Sequence, residues 1–84
     1  MLIWAHGLWG SPNGSKVTAI RESGIEVLSP DFNNMELEER VEILNNLVAK
    51  EKVVLAGSSY GGLACALVAQ QLPEQVKGML LLAP

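Results

Sequence analysis

The sequence predicts an α/β protein: a parallel four-stranded sheet with flanking helices and the spatial strand order 2-1-3-4. Three observations predict it. Four short apolar runs alternate with three segments of helical character, the pattern produced by right-handed crossovers packed on a sheet. The runs are apolar throughout rather than alternating, as strands covered on both faces are. Glycine-rich loops follow the first and third runs, and the order 2-1-3-4 reverses its winding between those two strands. The reversal leaves a crevice at their C-terminal ends, so both loops open into one place.

Leu2 to Ala5 reads as the first strand, and His6 to Gly14 as loop, since three glycines, a proline and an asparagine leave little else. Ser15 is expected to cap a short helix that reaches Arg21 or Glu22, with Gly24 as its left-handed terminator. Ile25 to Leu28 is a second strand, closed by Ser29-Pro30-Asp31. Asn34 is expected to cap a longer helix from Met35 to about Lys50. There Leu37, Val41, Leu44 and Val48 recur at helical spacing with Leu47 alongside, while Glu38, Glu39 and Glu42 face away. Val53 to Ala56 forms the third strand, Leu63 to Leu72 a helix stopped at Pro73, and Met79 to Ala83 the fourth strand, with Gln75 to Gly78 leading into it.

Composition narrows the classes. With 84 residues the chain holds at most one small domain, and 49% hydrophobic residues exclude disorder. The mean hydropathy of +0.25 is high for a domain this small. A net charge of −3 makes a nucleic-acid backbone a poor partner. No apolar run approaches membrane-spanning length, and Met1 to Ala5 is too short and uncharged for a signal peptide. The single cysteine forms no internal disulfide and points to a reducing, cytoplasmic compartment. Cys65 itself, among Leu63, Ala64, Ala66 and Leu67, reads as a small buried hydrophobe.

The chemistry concentrates at Gly57-Ser58-Ser59-Tyr60-Gly61-Gly62. This is G-x-S-x-G between a strand and a helix, a sharp turn that exposes the serine hydroxyl. Ser59 is the candidate nucleophile, and the next N–H, on Tyr60, points where an oxyanion would form. Gly57 and Gly61 are needed because a Cβ at either would collide with the turn. Ser58 has Ala56 and Tyr60 at its flanking positions, so it reads as a packing or hydrogen-bonding neighbour. A phosphate loop would carry G-x-x-x-x-G-K-[ST], and no lysine follows these glycines. A dinucleotide site would need G-x-G-x-x-G and an acidic residue at the next strand end, which Met79 to Ala83 lacks.

With these motifs in place the chain resembles the α/β-hydrolase family. The matching residues are His6-Gly7 after the first strand, Pro30-Asp31 after the second, the elbow at Gly57 to Gly62, and the run Pro73 to Pro84. The opening His6-Gly7-Leu8-Trp9-Gly10-Ser11-Pro12 with Ser15-Lys16, joined to Gly57-Ser58-Ser59, is similar to the compact bacterial YqiA-like esterases. The resemblance implies acyl transfer to water on a small-molecule ester or thioester, with no cofactor or metal. Ser59 would attack the carbonyl, and the backbone N–H groups of Leu8 and Tyr60 would form the oxyanion hole. His6 and Gly7 would support that loop, His6 as a structural hydrogen bonder rather than the general base. Trp4 is expected in the core, and Trp9 is a candidate to touch substrate.

The departure from the family pattern is equally plain. A serine needs a base, and the family supplies Asp or Glu and then His after later strands. No histidine follows Ser59 in this sequence, Asp31 lies beyond the second strand, and Glu74 sits at the opposite end of the sheet. This chain alone is therefore expected to be inactive. The apolar segment Gly78-Met79-Leu80-Leu81-Leu82 would form an exposed sheet edge, only the short Lys16–Glu22 helix would cover one sheet face, and the chain ends abruptly at Leu82-Ala83-Pro84 with no polar tail. Residues 1–84 are accordingly expected to be the N-terminal part of a longer domain, truncated after the fourth strand. The competing reading is a non-catalytic α/β module, a pseudo-hydrolase or remnant, that binds a partner or itself through that edge.

Overall fold

The computed structural model describes residues 1–8 and 10–82. Trp9, Ala83 and Pro84, and with them the expected substrate contact of Trp9 and the end of the fourth strand, lie outside the described residues. The elements run β1 (Leu2–Ala5), α1 (Ser15–Glu22), β2 (Val27–Leu28), α2 (Leu37–Val48), β3 (Val53–Ser58), α3 (Tyr60–Gln71) and β4 (Val76–Leu82). The sheet is parallel with the order β2-β1-β3-β4. Its centre is the β1–β3 pair, which runs in register from Leu2 beside Val54 to Ala5 beside Gly57. The two strands therefore end together, and the chain leaves both at one point.

One face of the sheet carries α2 and α3. Ile3, Ala5, Val53 and Leu55 of the strands meet Val41, Leu44 and Val48 of α2 and Ala64, Cys65 and Val68 of α3, with Phe32 between them. Fully burying a valine or leucine side chain is worth about 1.5–3 kcal/mol. Three such residues on α2 outweigh the weak helix propensity of Val41, Asn45 and Asn46. The acidic residues Glu38, Glu39 and Glu42 face solvent, as the spacing predicts. On the other face α1 inserts Val17 against Trp4 and Ala56, with Leu2, Ile20, Val27 and Leu82 around them. That small helix stops short of the far edge, where Val54 is 38% and Leu80 55% exposed.

Several boundaries differ from the sequence expectation. Gly14 rather than Ser15 is the N-cap of α1, its carbonyl accepting from the Thr18 N–H at 3.0 Å. Ser15 is the first helical residue. Gly24 does take the left-handed conformation, φ +91°, just past the Ser23 C-cap. The second strand keeps only Val27 and Leu28 of the expected Ile25 to Leu28. Asn34 is not the cap of α2: it is itself left-handed, φ 62°, in the loop before the helix. The cap is Glu36, which makes a reciprocal capping box with Glu39, whose side chain accepts from the Glu36 N–H at 3.1 Å. β3 runs on to Ser58, α3 begins at Tyr60, and β4 begins at Val76, since Val53 pairs with Val76 before a bulge re-registers Val54 beside Gly78.

Candidate active site

The elbow is built from the end of β3 and the start of α3. Ser59 is the N-cap of α3 at φ 54°, ψ −122°, a conformation that costs a non-glycine residue on the order of 1–3 kcal/mol. Its side chain is exposed and makes no capping hydrogen bond. The turn is this sharp because backbone passes over backbone. A Cβ on Gly57 would lie 2.9 Å from Gly61 C and O and from Gly62 N. One on Gly61 would run into the Ala5 carbonyl oxygen and come within 2.5 Å of His6 O. Tyr60 opens α3, so its N–H has no acceptor within the helix.

The loop after β1 reaches the same place. A Cβ on Gly7 would lie 3.2 Å from Ser59 Cβ and 3.3 Å from Ser58 O, so this loop lies directly against the elbow. The Gly7 carbonyl is held from behind: the His6 ring lies 2.8 Å away through Nδ1, and the Gly10 N–H donates at 3.1 Å. In a trans peptide the following N–H points opposite to the carbonyl. The Leu8 N–H is therefore turned away from those bonds, and Leu8 itself is 53% exposed.

His6 is 2% exposed, and its tautomer follows from its partners. Nε2 accepts the Phe32 N–H at 2.8 Å, which requires a bare nitrogen there. Nδ1 faces the Gly7 carbonyl, which can only accept, so Nδ1 carries the proton. The ring is neutral with both nitrogens engaged. Its 3.9 Å approach to Asp31 through the same Nε2 is thus not an ion pair. Asp31 instead accepts the Asn33 N–H at 2.9 Å, an Asx-type turn.

Arg40 was not singled out by sequence reasoning, and among the described residues it is the largest fully buried side chain. It donates from Nη1 to His6 O at 2.7 Å, from Nη2 to Phe32 O at 3.3 Å and from Nε to Met35 O at 3.3 Å. Its guanidinium lies 4.9 Å from the centre of the Tyr60 ring and 5.4 Å from that of Phe32. Desolvation draws its pKa down, opposed by the neighbouring Tyr60. Its position was a missed signal, three residues after Leu37 and four before Leu44, on the buried stripe of α2.

Other candidates sit apart. Cys65 is buried in α3 and its thiol is pushed up to about 12 by burial, so it is no nucleophile near neutrality. Ser58 lines a small hollow with Trp4, His6, Gly7, Ser11 and Lys16, and Ser59 is not part of that lining. A wider groove between Leu37, Val41 and Asn45 of α2 and Leu67 and Gln71 of α3 lies away from the elbow. Among the described residues no group of three or more His, Cys, Asp or Glu is placed to hold a metal ion. No helix among them is long and apolar enough to cross a membrane.

Comparison with known proteins agrees with this fold. Residues 9–84 match the family model described as alpha/beta hydrolase fold. No curated protein matches. Among solved structures, an extracellular alpha/beta-hydrolase from a Paenibacillus species is 22% identical with a TM-score of 0.75, over 95% of this chain and 38% of that one. A monoacylglycerol lipase from Paleococcus ferrophilus gives 22% and 0.76 over 95% and 37%, and polyneuridine aldehyde esterase 23% and 0.67 over 95% and 38%. The chain thus spans well under half the length of the structures it resembles. Sheet order and family match agree: the chain belongs to the α/β-hydrolase fold family.

Proposed function

We propose that this chain carries the nucleophile and oxyanion hole of a serine hydrolase acting on carboxylic or thio esters. The observation that carries the reading is the contact between Gly7 and Ser59, which sets the exposed, strained serine beside the loop bearing the Leu8 N–H. Ser59 Oγ attacks the ester carbonyl carbon, and its proton passes to a base. The carbonyl oxygen becomes an oxyanion between the N–H groups of Leu8 and Tyr60, each worth about 3–4 kcal/mol of barrier. The tetrahedral intermediate then expels the alkoxide or thiolate, which takes the proton, and water hydrolyses the acyl-Ser59 by the same route.

The base is not His6, whose nitrogens are both engaged. We assign it, with its acid partner, to sequence following Pro84. The lengths of the similar structures support this, since this chain covers 37–38% of them. The similar proteins named as a lipase and an esterase support an ester substrate. The protein as made by its cell should label with a fluorophosphonate on Ser59, and Ser59→Ala should abolish labelling. Persistent labelling of that variant removes the assignment.

One observation favours a second reading, a non-catalytic module that associates through its sheet edge. On β4, Met79 is 43%, Leu80 55% and Leu81 46% exposed, an apolar edge strand bare on both faces. Under that reading Ser59 is unreactive and the chain self-associates.

A further inference from the structure

Three carbonyl groups and two aromatic rings converge on one buried cation, and they come from the loop after β1, the loop before α2 and the first residue of α3. We propose that Arg40 is a positioning residue that clamps the loop after β1 to Tyr60, fixing the Leu8 and Tyr60 amides on either side of Ser59. The inference rests on the hydrolase reading above and adds to it a residue outside the reacting atoms.

The shortest bond of Arg40, 2.7 Å to His6 O, is in the charge-assisted range. It grips the loop two residues before the Leu8 amide. Gly61 approaches the same carbonyl so closely that a Cβ there would lie 2.5 Å from its oxygen. Across the guanidinium lies the Tyr60 ring at 4.9 Å, on the residue whose own N–H is the second donor. The remaining bonds, to Phe32 O and Met35 O, anchor Arg40 in the loop before α2. That loop in turn holds the His6 ring through the Phe32 N–H. One planar group therefore touches the residue chains of both donors, and nothing else among the described polar contacts spans them.

The chemistry of the group fits this task better than it fits simple stability. Among the described residues no carboxylate lies within 4 Å of the guanidinium. A buried cation without a counter-ion is an expensive way to fill space, and an apolar side chain on this stripe would pack at lower cost. A planar fork with five donors can bond three carbonyls in one plane and stack on rings above and below it. Lysine keeps the charge but has neither the fork nor the flat face.

The test uses the protein as its cell makes it, with Arg40→Lys and Arg40→Met, and p-nitrophenyl esters as substrate. Loss of oxyanion alignment weakens transition-state binding alone, so Arg40→Lys should lower kcat at least tenfold and leave KM within twofold. Arg40→Met should lose at least as much activity. Amide exchange supplies a readout independent of turnover: the Gly10 and Phe32 amides should exchange at least tenfold faster in Arg40→Lys, while Leu55 in β3 stays unchanged. A kcat within twofold of the unmutated enzyme, or unchanged exchange at Gly10 and Phe32, overturns the clamp. Failure of the unmutated protein to label at Ser59 removes the hydrolase reading instead, and amide exchange then decides alone whether Arg40 orders the loop.

Discussion

Gly61→Ala is the substitution on which the geometry makes its sharpest demand. Gly61 is the second residue of α3, and alanine at a helical position ordinarily gains about 0.5–1 kcal/mol over glycine. Here the added Cβ would run into Ala5 O, lie 2.5 Å from His6 O and 2.6 Å from Ala5 C. All three atoms are backbone, so no side chain can swing aside. The end of β1 and the start of α3 must separate by on the order of 0.5–1 Å, at the upper end of the roughly 1–3 kcal/mol that overpacking costs. Net of helix propensity, the fold should lose about 2 kcal/mol, which lowers Tm by about 8–16 °C in a domain of this size. Gly78→Ala is the matched control. Its Cβ would meet only the two Val54 methyl groups at 3.9 Å, and it should stabilise β4 by about 0.5–1 kcal/mol. Urea and thermal unfolding followed by circular dichroism measure both. A Gly61→Ala protein as stable as the unmutated one would refute the close approach of α3 to β1.

Ser59→Gly should relieve the φ 54° conformation and stabilise the protein by about 1–2 kcal/mol in urea unfolding, whereas Ser59→Ala keeps the strain and should change stability little. Cys65 should resist iodoacetamide at pH 8 in the folded protein and react once urea unfolds it. Its folded pKa of about 12 exceeds its ordinary 9.0, so above pH 9 the unfolded state releases a proton that the native state retains. Stability should fall as pH rises through that window by about 1.4 kcal/mol per unit, and Cys65→Ala should lack this contribution; identical alkaline slopes would refute it. Leu80→Lys should reduce any concentration-dependent self-association of the 84-residue chain in sedimentation velocity, because it charges the bare edge strand.

The parallel sheet and the strand, turn and helix around Ser59 were legible because their signals are local and covalent, whereas the order β2-β1-β3-β4 rests on pairing between distant runs. Apolar runs, helical spacing and glycines at fixed offsets around Ser59 specify a strand, a turn and a helix without help from distant residues. The boundaries that moved depend on partners elsewhere in the chain. β4 starts at Val76 because Val53 pairs with it, although Lys77 and Gly78 read poorly as strand. Asn34 has the right chemistry for a cap, but the loop from Phe32 to Met35 is bonded to Arg40, and the cap falls later, at Glu36, with the helix starting at Leu37. The Glu36–Glu39 spacing was present in the sequence as a capping-box signal. Arg40 went unread for a different reason: its place on the buried stripe of α2 was in the sequence, but a single arginine within an acidic helix reads as solvated until the loops around it are known.

The β1–β3 pairing at the middle of the sheet also governs how this chain finds its structure. Leu2 pairs with Val54, more than half the chain away, and the only neighbour that β1 can recruit early is the two-residue β2. Such a strand gives little reward for closing the first loop. The decisive event is then the meeting of the two central strands across the intervening α1, β2 and α2. Parallel sheets assembled from such distant partners are slow to fold, on the order of milliseconds to seconds. During that interval the apolar strands are free to find the wrong neighbour, so the feature that aligns the two loops also sets the kinetic hazard of the fold.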